Sequence, residues 1–86
     1  MSRLARSPLA RIRLRAGYAT ALEAARAVGC SRIYLLELEQ GRGSPSAALL
    51  QRMSRSYGRA TTELGRAIRR ARLDLLQRQL DHLKRP

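Results

Sequence analysis

The tetrapeptide Gly29-Cys30-Ser31-Arg32 constrains the fold more than any other part of the chain. Glycine reaches the left-handed backbone that closes a helix, and a serine two residues later can cap the next one. The pattern predicts a short helix ending at Gly29, a three-residue turn, and a second helix. That second helix runs Arg32-Ile33-Tyr34-Leu35-Leu36-Glu37-Leu38-Glu39 and stops at Gly41. Two short helices joined by a tight glycine-containing turn meet at a steep angle. This leaves no role for a β-sheet here, and no stretch of the chain shows the alternation of a strand.

Composition supports packed helices. The 86 residues suffice for one small domain and leave no room for a second core. There is no Trp and no Phe, so the core must be Leu, Ile and Ala with the three tyrosines. At this size stability is marginal, and oligomerisation would help. The single Cys30 excludes an internal disulfide and reads as a small core hydrophobe in the turn. With His82 isolated, no zinc set exists, and no metal or other cofactor is expected. No apolar run reaches transmembrane length, and the first residues lack the apolar core of a signal peptide, so no membrane association is expected. The formal net charge is +12, and every basic residue except Lys84 is arginine. Such imbalance makes a polyanion the obvious partner. The arginines extend from Arg3 to Arg85, so the sequence alone outlines no single patch.

Residues 1–7 are basic and aperiodic and read as a mobile N-terminal arm. Pro8 suits the first turn of a helix that continues to about Ala16, with Leu9 and Ile12 on one face, and Gly17 ends it. Thr20-Ala21-Leu22-Glu23 has the form of a capping box opening the next helix. The alanine-rich body of that helix lets the following one approach closely. In the helix after Ser31, Leu35 and Leu38 should face the core. Gly41-Arg42-Gly43-Ser44 reads as a loop, with Ser44 capping a fourth helix and Pro45 at its first position. That helix offers Ala48, Leu49, Leu50 and Met53 and ends near Gly58. Residues 8–60 form the main domain in this reading, and 61–86 a C-terminal extension dominated by a helix from about Thr62 to Lys84. This last helix carries two apolar stripes. Leu64, Ile68, Ala71 and Leu75 suit packing on the domain. Leu73, Leu76, Leu80 and Leu83 have the 3-4-3 spacing of a heptad seam and form a candidate homodimer interface. The alternative is a tail folded back on its own core.

These residues together resemble the phage-repressor and Cro class of helix-turn-helix, the XRE-type domain. The resemblance covers about Leu9 to Gly58 and rests on Leu9, Ile12, Arg13, Gly17-Tyr18, Ala24, Gly29, Ser31-Arg32, Leu35, Leu38, Glu39, Gly41, Pro45-Ser46, Leu49-Leu50 and Gly58 in their joint order. It implies an all-α, compact four- to five-helix lambda-repressor-like fold with an extended C-terminal helix. It also implies double-stranded DNA as partner and a cytoplasmic place of action in a bacterial or phage-infected cell. The residues matching the family's DNA-facing positions are Ser31, Arg32, Ile33, Leu36 and Glu37, with Tyr34 at the margin. Gln40, Arg42 and the amide at the start of the second helix near Thr20 match phosphate-contacting or adjacent positions. Arg13 and Glu39 match a pair that ties the first helix to the recognition unit as a structural ion pair.

The chain departs from the family pattern twice. The Gly17 to Gly29 interval is one residue longer than the commonest form, which implies a longer turn at Tyr18-Ala19-Thr20. The reading face is apolar or acidic at three positions. Arg32 can reach guanine O6 and N7, and Ile33 and Leu36 can touch thymine methyls. Glu37 can accept from cytosine N4 but repels phosphate. Ile33 and Leu36 also fit a protein-binding surface, or packing against the last helix.

The function expected from these features is a sequence-specific DNA-binding transcriptional regulator, a small dimeric repressor of phage, plasmid or toxin–antitoxin type. The alternative is an antitoxin or other interaction module whose helices bind a partner protein. A non-specific nucleic-acid binder is a third reading, but three aromatic residues are few for stacking on single-stranded RNA. Catalysis is not expected. No Cys/His pair or glycine-rich phosphate loop is present, and Glu37 and Glu39 point in different directions on a helix. Asp74 and Asp81 share a face but read as solvated, salt-bridging residues.

Overall fold

Among the described residues, four of the five helices begin where a hydroxyl can take an otherwise unpaired amide. The computed structural model describes residues 7–84. Its helices are α1 (Pro8–Arg15), α2 (Ala21–Val28), α3 (Arg32–Glu39), α4 (Ala47–Tyr57) and α5 (Thr61–Lys84). The caps of the first four are Ser7, Thr20, Ser31 and Ser46. Their side-chain oxygens accept from the amides of Ala10, Glu23, Tyr34 and Leu49 at 3.2, 3.1, 3.0 and 3.1 Å. Each such cap stabilises by roughly 1 kcal/mol over alanine. Thr20 forms a complete capping box, its own amide donating to Glu23 Oε1 at 3.1 Å. Between α2 and α3 lie Gly29, Cys30 and Ser31. Gly29 adopts φ +90°, and its amide returns to the Ala25 carbonyl.

Two boundaries differ from those the sequence suggests. Ser7 belongs to α1 as its cap rather than to the N-terminal arm. The rest of that arm, residues 1–6, lies outside the described residues. Ser46, not Ser44, caps α4, and Pro45 precedes the cap instead of opening the helix. The reason is not local, since Ser7 caps α1 directly before Pro8. Ser44 is engaged elsewhere: its carbonyl accepts from Tyr34 Oη at 2.9 Å and its hydroxyl from Arg72 Nη2 at 2.7 Å.

The core gathers one face from every helix. Leu9, Ala24, Leu35, Leu38, Met53 and Leu64 are fully buried, with Ile12, Val28, Leu49, Tyr57 and Ile68 around them. Burying a leucine contributes roughly 1.5–3 kcal/mol relative to leaving it exposed. Ala21, Ala24 and Ala25 line the buried face of α2, where small side chains let α3 and α4 come close. α5 packs on α1, α4 and α3 through Leu64, Ala67, Ile68 and Ala71. Leu75, expected to complete that stripe, is only half-buried. Beyond it the helix runs past the domain, and Leu73, Leu76, Leu80 and Leu83 stand exposed.

Candidate nucleic-acid interface

α3 divides sharply into two faces. Leu35, Leu38 and Glu39 are buried, while Arg32, Ile33 and Glu37 are exposed. Ile33 keeps 66% of its surface, although it is the kind of side chain a core would normally absorb. Ile33 and Glu37, four residues apart, share one strip of the helix surface, and Arg32 and Leu36 share the adjoining one. Leu36 is half-buried against the core, so less of it is offered to a partner than the sequence suggests. Ser31 is exposed at the N-terminal end of this face, its hydroxyl held by the Tyr34 amide. Tyr34 is also half-buried, and its hydroxyl is spent on the Ser44 carbonyl.

The flanking positions surround this helix. Gln40 is the C-cap of α3 and is exposed, as is Arg42. The Arg42 amide donates to the Glu37 carbonyl at 2.8 Å, which fixes its backbone close to the helix end. Its guanidinium lies 3.5 Å from Gln40 Oε1. Thr20 is exposed at the start of α2, but the capping box already occupies its amide. An anion at that amide would have to displace the Glu23 carboxylate.

Arg13 and Glu39 hold the unit together from inside. Both are 5% exposed. Arg13 Nε donates to Glu39 Oε2 at 2.7 Å, and Nη2 lies 3.5 Å from Oε1. Arg13 Nη1 donates to the carbonyls of Tyr18 and Ala19 at 2.9 and 3.1 Å. The turn between α1 and α2 is thus closed by the same guanidinium that pairs with the end of α3. Burying a charge is costly unless it is paired and hydrogen-bonded, and here both conditions are met.

Three contributors carried little sequence signal. Arg52 of α4 donates through Nε to the Val28 carbonyl at 2.9 Å, satisfying the exposed end of α2 beside the turn. Arg72 of α5 reaches the α3–α4 loop at the carbonyl of Gly43 and the hydroxyl of Ser44. Each is one arginine among many, and only the tertiary packing singles it out. Tyr57 is buried beside Tyr18, ring centroids 5.9 Å apart, and its hydroxyl has no hydrogen-bond partner among the described residues. Burial above all, and then the Glu39 carboxylate, push its phenol far above the ordinary tyrosine value. Cys30 is a half-buried free thiol packed against the core in the turn. Burial raises its pKa, and the Arg52 guanidinium opposes the shift.

Among the described residues no group of three or more His, Cys, Asp or Glu could hold a metal ion. None of the described helices is long and apolar enough to cross a membrane. No curated protein and no solved structure matches the chain. A family model described as helix-turn-helix matches residues 9–64, from α1 into the first turn of α5, with the α2–turn–α3 unit at its centre. The five helices have the lambda-repressor-like all-α architecture of that family, whose members are DNA-binding regulatory domains. With more than half its length matched and its recognition unit intact, the chain belongs to the XRE-type, Cro/C1-like helix-turn-helix family.

Proposed function

We propose that this protein is a sequence-specific transcriptional regulator, a small dimeric repressor that reads the DNA major groove with α3. The observation that carries this reading is the division of α3. Its inner face is locked into the core by Leu35, Leu38 and the Arg13–Glu39 pair, and its outer face displays Arg32, Ile33 and Glu37. A rigidly seated helix with free side chains outward is what base readout needs. Arg32 would donate two hydrogen bonds to a guanine edge, and Ile33 would pack on a thymine methyl. Glu37 would accept from a cytosine amino group, which requires it to sit deep in the groove and away from phosphates. Arg42 and Gln40 at the end of α3 would meet the backbone. The net charge of +12 supplies the attraction that brings the two together.

The row of exposed leucines on α5 favours a second reading, an antitoxin-type module that docks a different protein through α5. One experiment separates the two: a gel shift on the DNA upstream of the protein's own gene, repeated with scrambled DNA across a salt series. The proposal expects a retarded complex on the upstream DNA that survives an excess of scrambled competitor. Its affinity should fall steeply with salt, on the order of a thousandfold between about 50 and 200 mM. Equal affinity for both DNAs would contradict sequence-specific regulation. No complex with either at moderate salt would favour the protein-binding module.

A further inference from the structure

The short loop that follows α3 is fastened to the rest of the molecule at several points around one exposed arginine. On one side of Arg42, Gly41 lies against the backbone of α5. A Cβ placed there would come within 2.4 Å of the Ala71 carbonyl oxygen and 2.9 Å of the Arg72 nitrogen. Gly41 also holds φ +92°, so both space and backbone conformation demand glycine. On the other side, the guanidinium of Arg72 donates to the Gly43 carbonyl and, at 2.7 Å, to Ser44 Oγ. Tyr34 adds a hydrogen bond from α3 to the Ser44 carbonyl. Arg42 itself is anchored by its amide to Glu37. Only its side chain projects outward.

From this geometry we infer that Arg72 is a positioning residue for DNA binding: it holds the Gly41–Ser44 loop so that Arg42 is presented to a phosphate without prior ordering of the loop. The inference rests on the DNA-binding reading of the preceding subsection. Its physical basis is preorganisation. A loop free in the unbound protein must lose backbone freedom when its arginine engages a phosphate, and that loss is subtracted from affinity. A charge-assisted bond from Arg72 to a backbone carbonyl removes much of that freedom in advance. Arg72 reaches inward to the loop, so its two acceptors are protein atoms and not the ligand. The arrangement also makes α5 part of the recognition surface without touching DNA. The same helix that covers the core fixes the far end of the recognition unit.

The test compares the full-length wild type with Arg72→Gln, Arg42→Ala, the double variant and Arg78→Gln by fluorescence anisotropy on a random duplex and on the upstream DNA. Arg78→Gln makes the same charge change at an exposed site further along α5. Arg72→Gln is expected to weaken binding to both duplexes by about three- to tenfold, consistent with the loss of a preordered contact. Arg78→Gln should have a much smaller effect. In the double variant, Arg72→Gln should add little to the loss already caused by Arg42→Ala, because it acts through that residue. Amide hydrogen exchange on the free proteins should show faster exchange at Gly41 and Arg42, whose amides donate to the carbonyls of Leu38 and Glu37, in Arg72→Gln only. Losses from Arg72→Gln and Arg42→Ala that simply add would mean that Arg72 meets phosphate on its own account, overturning the positioning role. An Arg72→Gln protein that matches Arg78→Gln in affinity, or the wild type in exchange, would overturn it as well. In each of these cases the wild type still binds DNA. A wild type that binds neither duplex overturns the DNA-binding reading itself, and this inference with it.

Discussion

Arg13 is the residue on which most of the recognition unit converges. Its guanidinium serves both oxygens of Glu39 and the carbonyls of Tyr18 and Ala19. A surface ion pair contributes little, because water competes for both partners. A buried pair differs: removing one partner leaves an uncompensated charge, at a cost of about 3–5 kcal/mol. The two partners are not equivalent here. Glu39→Gln leaves Arg13 with its two backbone acceptors, whereas Arg13→Met also strips Tyr18 and Ala19 of their donor. Arg13→Met is therefore expected to be the more destabilising single change in urea unfolding. The double variant Arg13→Met/Glu39→Gln should lose clearly less than the sum of the two. Additive losses would mean that the charges do not interact in solution.

At the scale of elements, α3 and α5 each leave apolar side chains in water. The exposed leucines of α5 lie at 3-4-3 spacing, the seam of a two-stranded coiled coil. Four exposed leucines in a row on a small domain are an improbable free surface. At the centre of the seam the flanking residues are Gln77 and Gln79, which carry no charge, and the heptad period turns Arg78 away from it. A second copy can therefore pair there despite the basic character of the helix. Sedimentation equilibrium at tens of micromolar is expected to show a dimer for the wild type and a monomer for Leu76→Glu/Leu83→Glu. A monomeric wild type, with and without DNA, would contradict the dimer and leave the seam to a different protein. The helices themselves were largely readable from local chemistry. Thr20 and Glu23 announce a capping box, and Gly29 and Ser31 bracket a turn, because those signals lie within a few residues of what they determine. Ser44 misleads for the converse reason. Its hydroxyl is taken by Arg72, 28 residues away in the chain, and no local pattern records that. Leu36 and Tyr34 are less exposed on the outer face of α3 than expected because they pack against the core, which depends on how neighbouring helices are set. The Arg13–Glu39 pair was accessible only through family resemblance, since 26 residues separate the two and helical periodicity does not link them.

For the whole molecule, the question is how a chain with a net charge of +12 becomes selective. Charge of this magnitude attracts any nucleic acid, and contacts to phosphate carry no sequence information. In the proposed reading, selectivity comes from the few side chains that α3 would hold toward base edges, of which Arg32 is the only cation. Arg32 and Arg42 lie at opposite ends of the same recognition unit and carry the same charge, so comparing them separates reading from attraction. The decisive measurement is the affinity of Arg32→Ala and Arg42→Ala for the upstream DNA and for a scrambled duplex at one fixed salt concentration. Arg42→Ala is expected to weaken both by similar factors. Arg32→Ala is expected to cost about 1–3 kcal/mol on the upstream DNA and little on the scrambled one, as the loss of a base contact does. If both substitutions lower affinity for the two DNAs in equal proportion, Arg32 reads no base, and the account of α3 as the sequence-reading helix is contradicted.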